Sequence, residues 1–143
     1  MMGDYFVFEK WLGYALLSLL LYGFWGFFPK LAVTYLRPLS ALVYEVGGAI
    51  IVGVICLAVI GFRPEIQTKG ILFAVLTGIC GMLGTLLFFA AAVKGKISVV
   101  VSITALYPLI TILLAALILK EPLTCKQVAG MLFALLAIIL FVT

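Results

Sequence analysis

Long apolar runs separated by short polar stretches dominate the chain. Four of them cover residues 11–29, 38–62, 70–93 and 97–119, and a fifth covers residues 125–142. At about 1.5 Å per residue, helices of this length cross a hydrocarbon core of about 30 Å. None of the runs alternates apolar and polar residues as barrel strands do. The pattern predicts an all-α membrane protein: a bundle of five transmembrane helices with short loops, in a single domain over residues 1–143.

Composition strengthens this interpretation and excludes several classes of function. The chain is 67% hydrophobic and 10% charged, with a mean hydropathy of +1.43, as expected of an integral membrane protein. Histidine is absent, and the three cysteines are scattered without a CxxC pair, so we predict no metal site, no cofactor, no catalytic residue and no enzymatic activity. The net charge of +4 is spread over loop ends, which favours interface anchoring over nucleic-acid binding.

The fourth run contains a proline with polar neighbours. Pro108 has no N–H, so the carbonyl of Thr104 loses its helical donor. Thr104, Tyr107, Pro108 and Thr111 share one narrow arc of the helix, and a broken helix with such residues is typical of transporter binding sites. They are therefore candidates for substrate binding or coupling, with a break between Thr104 and Pro108. The alternative is a tolerated kink whose hydroxyls bond to their own backbone.

Three further candidates lie in the first two runs. Glu45 is the only acid inside any run, and an intramembrane carboxylate is a candidate for substrate binding or coupling. Alternatively, it reaches the interface or pairs with Arg37 or Lys30. Tyr22 and Trp25 share a face late in the first run and are candidates to line a pocket, the alternative being an interfacial aromatic belt.

The order and spacing of several short features resemble the EamA-type repeat of the drug/metabolite transporter superfamily. These features are Trp25-Gly26 with Lys30, Pro38, Gly78 and Gly81, Ala90-Ala91-Ala92, Lys94-Gly95-Lys96-Ile97-Ser98, Pro108, Lys120-Glu121-Pro122-Leu123-Thr124, Gln127 and Gly130. The chain is similar to half-length, single-repeat members of five helices, whereas many members carry two repeats. It departs from the family pattern at Glu45, where members often have an arginine.

The resemblance implies a secondary transporter of a small metabolite or drug-like solute in the inner or plasma membrane, working by alternating access as a homodimer. The alternative is a non-transporting or lipid-flippase membrane subunit that needs a different partner chain. The partners expected of the transporter are the lipid bilayer and a small-molecule substrate.

Charge near the ends of the runs bears on how two copies are oriented. One side carries five cationic residues and the other carries four: Lys10, Arg63, Lys69, Lys120 and Lys126 against Lys30, Arg37, Lys94 and Lys96. Because the side richer in lysine and arginine stays cytoplasmic, such a small difference permits both insertions. We therefore expect an antiparallel homodimer. The alternative is a single orientation with the N-terminus inside, and either a parallel dimer or a separate partner.

Overall fold

A computed structural model describes residues 10–142, and over that range the regular secondary structure is entirely helical. Its elements are α1 (Lys10–Tyr35), α2 (Pro38–Val59), α3 (Thr68–Lys94), α4 (Ile97–Thr104), α5 (Tyr107–Leu114), a π-helix (Ala115–Leu119) and α6 (Cys125–Val142). Four stretches are long and apolar enough to cross a membrane, and α6 supplies a shorter apolar helix. The predicted all-α membrane bundle is confirmed.

The first predicted boundary, at Pro29, is wrong because α1 continues through this proline to Tyr35. A proline removes one backbone hydrogen bond but does not by itself end a helix in a membrane. The true stop is Pro38, which restricts the residue before it to extended backbone. Arg37 accordingly has φ −71° and ψ 149°, and Pro38 opens α2 as predicted.

The second helix ends at Val59, three residues before the predicted boundary at residue 62. Gly61 and Phe62 have φ values of 65° and 57°, in the left-handed region that a right-handed helix cannot include. The Phe62 amide donates to the carbonyl of Leu57, which satisfies one of the last carbonyls of α2. α3 begins at Thr68, two residues before the predicted start.

The chain divides into two compact units at the boundary between Val93 and Lys94. The core of the first unit lies where the end of α1, the start of α2 and the end of α3 meet. Its most buried side chains are Ala41, Thr85, Phe88, Phe89 and Ala92. Because the link between α1 and α2 is short, the end of α1 necessarily lies beside the start of α2. The prediction that residues 1–143 form one domain stays a prediction.

The second unit contains the interrupted fourth run and α6, which packs against α4. The interruption falls at Ala105 and Leu106, between the end of α4 and the start of α5, as predicted. The Leu106 amide donates to Ile103 and the Leu109 amide to Leu106, so the backbone tightens to three-residue bonds there. Thr124 and Gln127 form a capping box ahead of α6, with the Thr124 amide donating to Gln127 Oε1 over 2.8 Å.

Large apolar side chains cover the outside of the helices. Fewer than one residue in eight is buried within any of the four long spans. Water would not tolerate so much exposed leucine, isoleucine and phenylalanine, whereas hydrocarbon does. The surface therefore agrees with a multi-pass membrane protein surrounded by lipid.

Candidate functional site

A half-open cavity of about 280 Å³ lies within the first unit, beside its buried core. α1 contributes Trp25, Phe28, Pro29 and Ala32, and α2 contributes Ala41, Tyr44 and Glu45. Phe89 of α3 and Leu36 of the α1–α2 link complete the wall. Four of these nine side chains are aromatic and one is acidic, so the cavity has apolar walls and a single carboxylate.

Trp25 and Glu45, two of the predicted site residues, meet at this cavity. The Trp25 indole Nε1 donates a hydrogen bond of 2.8 Å to Glu45 Oε1. The indole ring also lies 5.4 Å from the Phe88 ring, centroid to centroid, at an interplanar angle of 37°. Such an offset aromatic contact adds to the hydrogen bond in holding the indole in one orientation. The ring and the carboxylate are therefore positioned together.

The two carboxylate oxygens of Glu45 differ in their hydrogen bonding. Oε2 is shielded from solvent, and no described residue gives it a hydrogen bond. A buried ionised carboxylate with an unsatisfied oxygen is costly, because it has left water without full compensation. This oxygen is therefore the position in the cavity wall that most lacks a polar partner.

The sequence also allowed an ion pair between Glu45 and Lys30 or Arg37. Neither cation donates a hydrogen bond to the Glu45 carboxylate. Oε1 accepts from Trp25, and Oε2 has no partner among residues 10–142. The Lys30 ammonium instead donates to the carbonyl of Ala92, over 2.6 Å. That carbonyl lies in the last turn of α3, where backbone acceptors lack intrahelical donors and a cation is favoured by the helix dipole. Lys30 thus joins α1 to the end of α3.

The candidates of the fourth run surround the interruption in the second unit. The Thr104 hydroxyl donates to the carbonyls of Val100 and Val101, each over 3.0 Å, and the Thr111 hydroxyl donates to that of Tyr107 over 3.3 Å. Pro108 occupies the first turn of α5, where a missing N–H costs least. These hydroxyl bonds match the geometry of the tolerated kink. A binding or coupling role for Thr104, Tyr107, Pro108 and Thr111 stays a prediction.

Tyr22 lies outside the cavity wall, and its side chain is 63% exposed. Its role in substrate binding also stays a prediction. Sequence reasoning missed Phe28, Tyr44 and Phe89 as wall residues. Helical spacing could have found the first two, since Phe28 follows Trp25 by three positions and Tyr44 follows Ala41 by three. Nothing in the sequence indicates that Phe89 approaches them, because that depends on how three helices pack.

Comparison with known proteins places these features in a family. The model of the EamA-like transporter family matches residues 9–143. The chain is 32% identical to the uncharacterized protein MJ1333.1 of Methanocaldococcus jannaschii over 127 residues, which are 87% of this chain and 90% of that protein. It is 31% identical to the uncharacterized transporter YyaM of Bacillus subtilis over 121 residues, which are 80% of this chain and 38% of that protein.

No solved structure matches the chain in the same kind of comparison. The family match nevertheless extends over both compact units and includes the cavity and the interrupted run. The order of features in the sequence, the all-helical fold and the family match agree. The chain belongs to the EamA-like transporter family.

Proposed function

We propose that the protein is a secondary transporter of a small metabolite or drug-like solute, working by alternating access as a dimer in the cell membrane. The observation that carries the proposal is the cavity of the first unit, with Glu45 in its wall. A carboxylate within a membrane span is expensive to maintain and is therefore expected to act on a substrate or a coupling ion. In this proposal, Glu45 binds the substrate or a coupling ion, and the protein is a transporter and not an enzyme.

Family membership supports transport over other uses of such a cavity. YyaM is named as a transporter, and this chain spans 38% of its length. The family model matches residues 9–143, and in this proposal a second copy of the chain supplies the other side of the pathway. Gly78, Gly81 and Gly84 of α3 support association, because a Cβ added at any of them would meet no atom within 4 Å. Such small residues allow another helix to approach closely.

Two measurements on purified protein test the proposal. A thermal-shift screen against amino acids, nucleobases, sugars and organic cations identifies a ligand, because a ligand of the folded state raises the melting temperature. Proteoliposomes preloaded with that ligand are then assayed for counterflow of the labelled compound. We expect saturable counterflow that protein-free liposomes lack. A ligand that binds without counterflow would instead indicate the non-transporting subunit, and co-reconstitution with a second half-length chain would then be the decisive assay.

A further inference from the structure

The chemistry of the cavity wall identifies a class of ligand. Glu45 is its single charged side chain, and Oε2 is shielded with no hydrogen-bond partner among the described residues. Lys30 directs its ammonium to the carbonyl of Ala92, away from this role. The cations of the described residues therefore leave Oε2 without a hydrogen bond, and a positively charged ligand would supply the missing interaction.

The aromatic walls favour the same charge. Trp25 and Phe89 bring π systems to the cavity, and the negative face of such a ring attracts a cation. The hydrogen bond to Glu45 and the contact with Phe88 hold the Trp25 ring in place, so little conformational freedom is lost when a ligand binds. An anion would meet both the carboxylate and the ring faces, and it is disfavoured at this site.

The small number of hydrogen-bonding groups in the cavity wall further restricts the class of ligand. The Trp25 N–H already donates to Glu45 Oε1, which leaves the Tyr44 hydroxyl as the other side-chain donor of the wall. Most of the remaining wall is hydrocarbon, including Phe28 and Ala41. A ligand rich in hydroxyls or amides would leave those groups unsatisfied, whereas alkyl groups on an ammonium need no hydrogen bond. The volume of about 280 Å³ suits a small organic molecule.

We propose that the cavity binds a small alkylated ammonium, with Glu45 neutralising its charge and the Trp25 ring contacting its alkyl groups. This inference rests on the proposed function, since it assigns the substrate class of the same cavity. It goes beyond that function because a transporter of this architecture could carry a neutral or anionic solute.

The test compares choline with 3,3-dimethyl-1-butanol, which replaces the quaternary nitrogen by carbon and keeps the shape. The chain has two tryptophans, so Trp11→Phe leaves Trp25 as the only fluorescent indole. Titration of this variant in lipid nanodiscs should show a saturable change in Trp25 fluorescence with choline. The neutral isostere should bind at least about tenfold more weakly, since it gains neither the charge pairing nor the cation–π contact.

Two substitutions in the Trp11→Phe background identify the carboxylate responsible. Glu45→Gln should weaken choline binding by about tenfold or more and leave the isostere unchanged. Glu65→Gln, which removes an exposed acid from the α2–α3 loop, should leave both affinities unchanged. If Glu45→Gln does not fold, the comparison of the two ligands on the Trp11→Phe protein still decides the question.

Equal binding of choline and its isostere, or no choline binding, would overturn the cation assignment. An equal effect of Glu65→Gln and Glu45→Gln would overturn the placement at Glu45. These failures are separate from failure of transport. Counterflow of a neutral solute without choline binding would support the proposed function and overturn the cation assignment. Choline binding without counterflow of any solute would support the cation assignment and overturn the proposed function.

Discussion

At the scale of single residues, the hydrogen bond between Trp25 and Glu45 joins the α1 and α2 sides of the cavity wall. It is short, at 2.8 Å, and its acceptor is a carboxylate oxygen. Hydrogen bonds within membranes are nevertheless modest in net strength, because the groups find other partners in the unfolded protein. The contact is therefore expected to position the indole more than to stabilise the fold.

A double-mutant cycle measures this contact. Trp25→Phe keeps a ring but removes the donor, and Glu45→Met removes the acceptor at similar volume. We expect a coupling energy of about 0.6–2 kcal/mol from thermal unfolding in detergent. The cycle of Trp11→Phe with Glu45→Met is the control and should be additive, because Trp11 lies about 21 Å from Trp25 along α1. Additivity in the Trp25 cycle as well would contradict the contact.

Lys30 provides the second prediction at this scale. Lys30→Met removes the ammonium that donates to Ala92 in the last turn of α3, and it leaves that carbonyl less satisfied. We expect a loss of about 1–3 kcal/mol in the free energy of unfolding. Lys94→Met, at the exposed end of the same helix, is the matched control and should have little effect. Equal losses for the two variants would refute the bridging role of Lys30.

At the scale of helices, the interruption between α4 and α5 depends on Pro108. Pro108→Ala restores an N–H that can donate to the Thr104 carbonyl. We expect slower amide hydrogen exchange over residues 104–109, measured by NMR in detergent micelles, as the backbone returns to four-residue bonds. Pro122→Ala, in the link before α6, is the control and should not alter exchange there. Unchanged exchange in Pro108→Ala would mean that packing, not the proline, interrupts the helix.

The helices also show how far sequence reasoning reaches. The spans, the interruption before Pro108 and the capping box of Thr124 follow from local chemistry, since each is decided within about four residues. The boundary at Pro29 failed because the run was ended at the charge of Lys30, although α1 continues to Tyr35 and Lys30 donates to the Ala92 carbonyl from within it. The meeting of Trp25 with Glu45 was not predicted. It joins residues 20 positions apart, and only the packing of α1 on α2 brings them together.

At the scale of the whole molecule, the orientation of the chain in the membrane would decide how two copies associate in the proposed dimer. Cysteines introduced at Glu65 and Lys96, in a background without Cys56, Cys80 and Cys125, lie at opposite ends of α3. An antiparallel homodimer requires both insertions, so a membrane-impermeant thiol reagent should label a fraction of each site from each side of intact cells. Labelling of each position from one side alone would exclude dual insertion and leave a parallel dimer or a separate partner.

In the proposed transporter, Glu45 and the surrounding cavity carry a solute across the membrane. Counterflow of the labelled ligand in proteoliposomes, compared between wild type, Glu45→Gln and Glu65→Gln at equal reconstituted amounts, tests this role of Glu45. We expect counterflow in wild type and Glu65→Gln, and a loss of about tenfold or more in Glu45→Gln, because the substituted side chain cannot pair with a cation. Full counterflow by a folded Glu45→Gln protein would exclude a role for Glu45 in transport.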